Sequence, residues 1–222
     1  PFPFGWRGSG LEVPEPVLGK YLANLLASLR DDGFTRVYVL TPRDVNLDLG
    51  AAQIRFNFGQ PEAFPLPPDS ERGKVILAPI GHTEQHAYHL PLSVDTLIIE
   101  AIAKGAAEAT PDSGYTLPAM PYGVSTHRSS FAGTMNAGGR AFEDFWLEVV
   151  NVLVMRGFDK FYLMSGHGGN MSFLVNVVKY AGDRHKRIFC ATAFLHTSGP
   201  EGAAALEKYR ESKIGGMGHA CE

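Results

Sequence analysis

Cysteine is scarce. Cys190 and Cys221 are the two in 222 residues, and neither belongs to a C-x-x-C pair. That excludes a disulfide framework and makes a reducing, cytoplasmic compartment the expectation. A dominant charge is also lacking: 20 Lys+Arg against 23 Asp+Glu leave a formal −3, which argues against nucleic acid as the main partner. No apolar run approaches the ~18–20 residues needed to cross a bilayer, and no signal peptide opens the chain, so no membrane partner is expected. The first residue is Pro1 rather than Met, as expected of a trimmed, processed or incomplete N-terminus. Hydrophobic residues at 45% and charged residues at 19% describe a globular protein with a real core. The length suits one good-sized domain and a small appendage.

What is present is concentrated in VILAPIGHTEQHAYHLPLSVD, residues 75–95. The apolar run Val75–Ile80 reads as a buried strand, and Gly81 ends it. Glu84, His86, His89 and Asp95 follow within a short distance. Parallel α/β sheets present their sites at the carboxyl ends of strands. Glu84 and His86 are two apart, so in extended backbone they point to one side. Carboxylate oxygen with imidazole nitrogen suits Zn²⁺, Mn²⁺ or Fe²⁺.

The flanking chain reads as alternating helix and strand. Residues 1–16 are irregular, with Trp6 as a packing anchor. A helix runs from Val17 to Asp31-Asp32, with Gly33 at its cap. Val37–Leu40 is a strand; residues 42–73 are rich in Pro, Asn and Gly and show no clear element, and within them PEAFPLPPDSERG, 61–73, reads as a connector over the surface. A helix over 95–109 precedes a strand over Tyr115–Met120. The long glycine-rich loop 121–139 carries His127 and Arg128, and a loop of that length is often functional. A helix over 140–156, a strand over Lys160–Met164, a helix over 170–183, a strand over Ile188–Leu195 and a helix over 200–212 complete the series. The expected fold class is α/β: a three-layer α/β/α arrangement around a mainly parallel sheet. The unit ending in GFTRVYVLT echoes the one ending in GFDKFYLMS, which the common helix–Gly–strand joint explains. Residues 1–73 are read as a leader and 74–222 as the domain that carries chemistry.

Each chemical residue also has an ordinary reading. Asp95, after Ser-Val, fits a helix N-cap. Glu84 and His86 fit a surface loop, and His167 in SGHGGN fits a glycine-rich turn. Several metal-type residues in one loop, with His167 at the exit of another strand, favour a shared site. His82 is read as orienting the loop, and His89 as supporting a ligand or packing. His185, in DRHKR, is read as solvated. His127 and His196 sit on loops at the same end and are expected to meet substrate.

The stretch APIGHTEQHAYHLPLSVD resembles the first signature of the creatininase (creatinine amidohydrolase) family, and SGHGGN resembles its second. STHRSSFAGT is similar to the segment between them, and the tail GHACE resembles the start of a third signature, within which the sequence stops. The likeness covers about residues 74–222.

The resemblance implies a creatininase-like fold and a metal-dependent amidohydrolase with two divalent ions, Zn, Mn or Fe, in a homo-oligomer, hexameric in relatives. Glu84 and His167 would hold one ion, His86 the other, and Asp95 both. Creatininases carry a Glu two residues after the second-motif His, where this chain has Gly169, so Glu222 becomes the candidate fifth ligand and creatinine itself is not the expected substrate. His219 matches an acid/base His, and with Glu222 it completes the expected catalytic pair. His127, His196 and Gly168 would contact substrate. Two such ions clamp the attacking oxygen and the developing oxyanion and bring the pKa of bound water down towards ~7, and the leaving nitrogen needs a proton donor such as His. The expected reaction is hydrolysis of a non-peptide C–N bond in a cyclic or formyl amide by metal-activated water. Peptide trimming in a biosynthetic pathway is one alternative, and a non-catalytic metal-binding scaffold is another. The roughly seventy-residue leader is a departure from the family pattern, expected to cap the site or build an interface.

Overall fold

The computed structural model describes residues 1–42, 47–49, 54–58, 64–87, 89–126, 129–195 and 199–209. In chain order the elements are α1 (Glu15–Asp31), β1 (Tyr38–Pro42), β2 (Ile54–Phe58), β3 (Val75–Ile80), α2 (Val94–Ala109), β4 (Gly114–Thr116), α3 (Gly139–Met155), β5 (Lys160–Ser165), α4 (Met171–Arg184), β6 (Phe189–Phe194) and α5 (Gly199–Tyr209).

The main sheet has the order β4-β3-β5-β6, and every pairing in it is parallel. The three-layer expectation holds, and strand alternation explains why. Ile76, Ala78, Ile80, Phe161 and Leu163 point into the large core shared with α3 and α4. Leu77, Tyr162 and Met164 point to the opposite face, where Ile99 and Ala103 of α2 meet them. Successive side chains of a strand face opposite ways, so a sheet buried on both faces reads as a continuous apolar run.

Helix α3 is the central post. Phe142, Phe145, Trp146, Val149, Val150 and Leu153 are all buried, at spacings of three and four. Burying each such side chain contributes about 1.5–3 kcal/mol. The leader packs onto the same post. Phe4, Leu11, Leu18, Tyr21 and Leu25 belong to the α3 core cluster, and Tyr21 and Phe145 rings lie 4.8 Å apart. Trp6 packs against this core and donates from Nε1 to the Phe2 carbonyl, as an anchor should.

Several boundaries differ from the sequence reading. The strand expected over 115–120 is the three-residue β4, with a lone bridge from Ile80 to Met120, because Pro118 and Pro121 interrupt the ladder. The stretch 42–73, in which no element was legible, contains β2, which pairs in parallel with β1 as a separate two-stranded sheet. Its alternating IRFNF is a strand signal masked by the surrounding Pro and Gly. The α1 helix begins at Glu15, with Pro16 in its first turn, where a missing N–H costs nothing. Residues 210–212 of the last predicted helix lie outside the described residues.

The chain leaves β3 through α2 to β4 on one side, and later reaches β5 on the other. The point between β3 and β5 is therefore where strand order reverses, the usual place for a ligand crevice. The pair ends flush, with Ile80 opposite Ser165, and the Gly166 N–H donates to the Ile80 carbonyl at 2.8 Å. Both signature loops emerge side by side.

Candidate metal centre

Residues 81–87 leave β3 and residues 166–170 leave β5 at that crevice. Helix α2 delivers the third part. A Cβ on Gly166 would overlap the Asp95 carbonyl and stand 2.8 Å from Ile99 Cβ. The absent side chain lets the first turn of α2 lie directly on the β5 exit. Asp95 is not the helix cap: Ser93 holds that position, and Asp95 is buried in the first turn.

His82, Glu84, His86, Asp95 and His167 are all at most 5% exposed. Their donor atoms form two overlapping groups, Glu84–His86–Asp95 and His82–Glu84–His167, each within 4.8 Å. Asp95 faces an imidazole with each oxygen: Oδ1 lies 3.3 Å from His86 Nε2 and Oδ2 3.0 Å from His167 Nδ1. Glu84 Oε1 is 3.3 Å from His167 Nδ1, and Oε2 accepts from Ser125 Oγ at 2.8 Å.

The far nitrogens fix the proton positions. His86 Nδ1 lies 3.0 Å from the Glu84 carbonyl, and His167 Nε2 lies 3.1 Å from the Val124 carbonyl. A carbonyl only accepts, so these nitrogens carry hydrogen. The opposite nitrogens turn towards carboxylates, where a proton or a cation must sit between. An imidazole tied to a carbonyl at one nitrogen and offering the other is the ordinary posture of a metal ligand. By this test the donor set fits divalent ions.

Charge follows the same geometry. Burial disfavours ionised Glu84 and Asp95, but hydrogen bonds from His167, and for Asp95 also from His86, hold both carboxyls down at about 2. Burial also disfavours a charged His167, yet Asp95 and Glu84 raise it to about 9. For His82, burial and the adjacent His167 outweigh Glu84 and Asp95, which act the other way, and push it down to about 3, so it is neutral.

The 121–126 segment closes over the cluster, and three residues that sequence reasoning did not single out, Ser125, Asn170 and Thr134, fix the loops around it. Ser125 orients Glu84. Asn170 is fully buried; its Oδ1 accepts from the Val124 N–H at 2.9 Å, and its Nδ2 donates to the Gly81 carbonyl at 3.2 Å. It ties three strand exits together. Thr134 accepts from the Gln85 N–H at 3.1 Å. Polar residues inside an otherwise glycine-rich loop were the available signal.

Other expectations fare differently. His89 is exposed, so it does not serve as a packing residue, and among the described residues it belongs to neither donor group. His185 is half-buried, with Nε2 3.0 Å from Asn151 Oδ1, and so is not simply solvated. Gly168 is exposed beside His167, with open space where a side chain would stand. A Cβ on Gly169 would overlap the Val124 carbonyl and the His167 ring, so the position leaves no room for a carboxylate there. His127, His196, His219 and Glu222 lie outside the described residues.

The creatininase (creatinine amidohydrolase) family profile matches residues 67–222. The chain belongs to the creatininase family. It is 36% identical over 111 residues to a mycofactocin precursor peptide peptidase of Mycobacterium ulcerans (strain Agy99), covering 47% of this chain and 44% of that protein. It is 29% identical over 112 residues to a creatinine amidohydrolase of Pseudomonas putida, covering 48% and 42%. A 3-dehydro-scyllo-inosose hydrolase of Thermotoga maritima is 31% identical over 110 residues, covering 48% and 34%. These matches span less than half the length of the curated relatives. A solved creatininase with Mn superposes with a TM-score of 0.57 at 23% identity, over 66% of this chain and 60% of that one, which shows the shared fold. Among the described residues no helix is long and apolar enough to cross a membrane.

Proposed function

We propose that this creatininase-family protein is a divalent-metal-dependent amidohydrolase that cleaves a non-peptide C–N bond in a cyclic or formyl amide. The observation that carries the reading is the Asp95 carboxylate, with one oxygen on His86 Nε2 and the other on His167 Nδ1. That is the posture of a carboxylate shared between two cations. Glu84 and His167 would hold one ion, His86 the other, and Asp95 both. Ions held there supply Lewis acidity towards a carbonyl oxygen and acidify water. The chain's own residues do the rest. Ser125 holds Glu84 in place, the Val124 and Glu84 carbonyls keep His167 and His86 in the ligating tautomer, and burial keeps bulk water out. His219 is the proposed proton donor to the leaving nitrogen and Glu222 the fifth ligand. His127, His196 and Gly168 are proposed to meet the substrate. Zn, Mn or Fe in a cytoplasmic homo-oligomer, a hexamer by family likeness, completes the reading.

The second reading, trimming of a peptide in a biosynthetic pathway, is favoured by the similarity to mycofactocin precursor peptide peptidases. Metal analysis of the Asp95→Ala variant, followed by assays on small cyclic and formyl amides and on peptides, tests both. Asp95→Ala is expected to lose at least one metal equivalent and at least ~10²-fold in rate, the scale on which removing a key electrostatic group acts. Undiminished turnover in metal-free protein would discard the proposal. Tight metal binding with no turnover on any amide would instead assign a scaffold.

A further inference from the structure

His82 stands in the cluster by position, yet its hydrogen bonding is the reverse of its neighbours'. Its Nδ1 accepts from the Gly123 backbone N–H at 2.9 Å. A backbone N–H can only donate, so Nδ1 must present its lone pair to it. A neutral ring then carries its hydrogen on Nε2. In His86 and His167 the far nitrogen gives its hydrogen to a carbonyl and the near one turns to a carboxylate. In His82 the lone pair is already committed, and the remaining nitrogen is a donor. The ring is fully buried and stacks on His167 at 4.4 Å between centroids. Its Nε2 is buried and has no hydrogen-bond partner among the described residues. A buried donor left without an acceptor is costly, and a carbonyl or carboxylate oxygen is what it can take.

We propose that His82 is not a metal ligand but a positioning residue of fixed tautomer. Its Nδ1 anchors the 121–126 segment, and its Nε2–H is presented to a carbonyl or carboxylate oxygen of a ligand in the site. The inference rests on the hydrolase reading for what that ligand is, but not for the tautomer. It separates His82 from the group of donors in which distance alone would place it.

The test is a long-range ¹H–¹⁵N spectrum of the full chain, first alone, then with Zn²⁺, then with acetate added as an oxygen probe. His82 is expected to show hydrogen on Nε2 and none on Nδ1 throughout, whereas His86 Nε2 and His167 Nδ1 shift on adding Zn²⁺. Acetate is expected to move the His82 Nε2–H signal. In parallel, His82→Asn keeps an acceptor near Gly123 and removes the far donor. It should bind as much Zn²⁺ as the unsubstituted protein and bind acetate about tenfold more weakly, the scale of one hydrogen bond. Hydrogen on Nδ1, a Zn²⁺-induced shift of His82 comparable to that of His167, loss of a metal equivalent in His82→Asn, or an Nε2–H unmoved by acetate would each overturn the proposal. If Zn²⁺ does not bind at all, the hydrolase reading fails, while the tautomer seen in the protein alone still decides the anchoring role.

Discussion

His167 is the residue on which charge and cation binding meet. Without a metal, a proton fills the gap between its Nδ1 and the two carboxylates, and its pKa rises to about 9. A folded-state value above the ordinary 6.5 means stability that is complete below about 6.5 and lost as pH rises through about 9. A divalent ion must displace that same proton. Zn²⁺ affinity is therefore expected to climb by about tenfold per pH unit between about 6.5 and about 9, one proton leaving per ion. Chelator-competition titrations across that range measure the slope. A flat profile would mean that the ion does not enter between His167 and Asp95. The His82 tautomer belongs to the same scale, because a single backbone N–H decides which way an imidazole can act.

At the scale of elements, α1 does more than cover the core. Tyr21, Asn24 and Ser28 lie on one side of the helix, with Asp32 just past its end, and all four bond to the site loop. Tyr21 Oη donates to the Tyr122 carbonyl, and Asn24 Nδ2 to the Ala137 carbonyl. Ser28 Oγ accepts from the Asn136 N–H at 2.9 Å, and an Asp32 carboxylate oxygen from the Gly133 N–H at 2.8 Å. The spacing of three and four keeps these side chains on one helical face. The leader therefore works as a brace for the loop that carries Ser125 and the Val124 carbonyl. Replacing Asn24 and Ser28 together by Ala is expected to cost about 1–3 kcal/mol, two hydrogen bonds' worth. It should also speed hydrogen exchange at Asn136 and Ala137 while leaving α1 helical. Unchanged protection at Asn136 would show that the loop holds itself.

At the scale of the whole molecule, the leader and the part that carries the candidate metal site share one core. Phe4 is fully buried against Phe145 and Trp146. Phe4→Ala is expected to cost about 3–5 kcal/mol, read from a denaturant midpoint, with unfolding still a single transition. A separate early transition of the leader would show two independently folding parts. The division at residues 73 and 74 is thus proposed as one of function, site against brace, within a shared packing unit.

The sequence by itself determined the layers and four members of the candidate cluster, Glu84, His86, Asp95 and His167. An apolar run of six at β3 and one of four at β5, helical spacing in α3, and carboxylates and imidazoles just past two strands are local patterns, and local patterns survive in one dimension. The IRFNF strand was hidden because proline and glycine on either side outweighed a short alternation, and β4 ended early because proline breaks a ladder. Only the tertiary structure decided that Ile80 and Ser165 end flush, that α2 lies on Gly166 so that Asp95 reaches both imidazoles, and that α1 braces the loop above them. It alone separated His82 from His86 and His167. Residue type says only that an imidazole is present, whereas the backbone partners that fix the rings of His82 and His167 come from a segment some forty residues away in the chain. Contacts made across such separations depend on how the sheet is ordered, and no spacing within a motif records that.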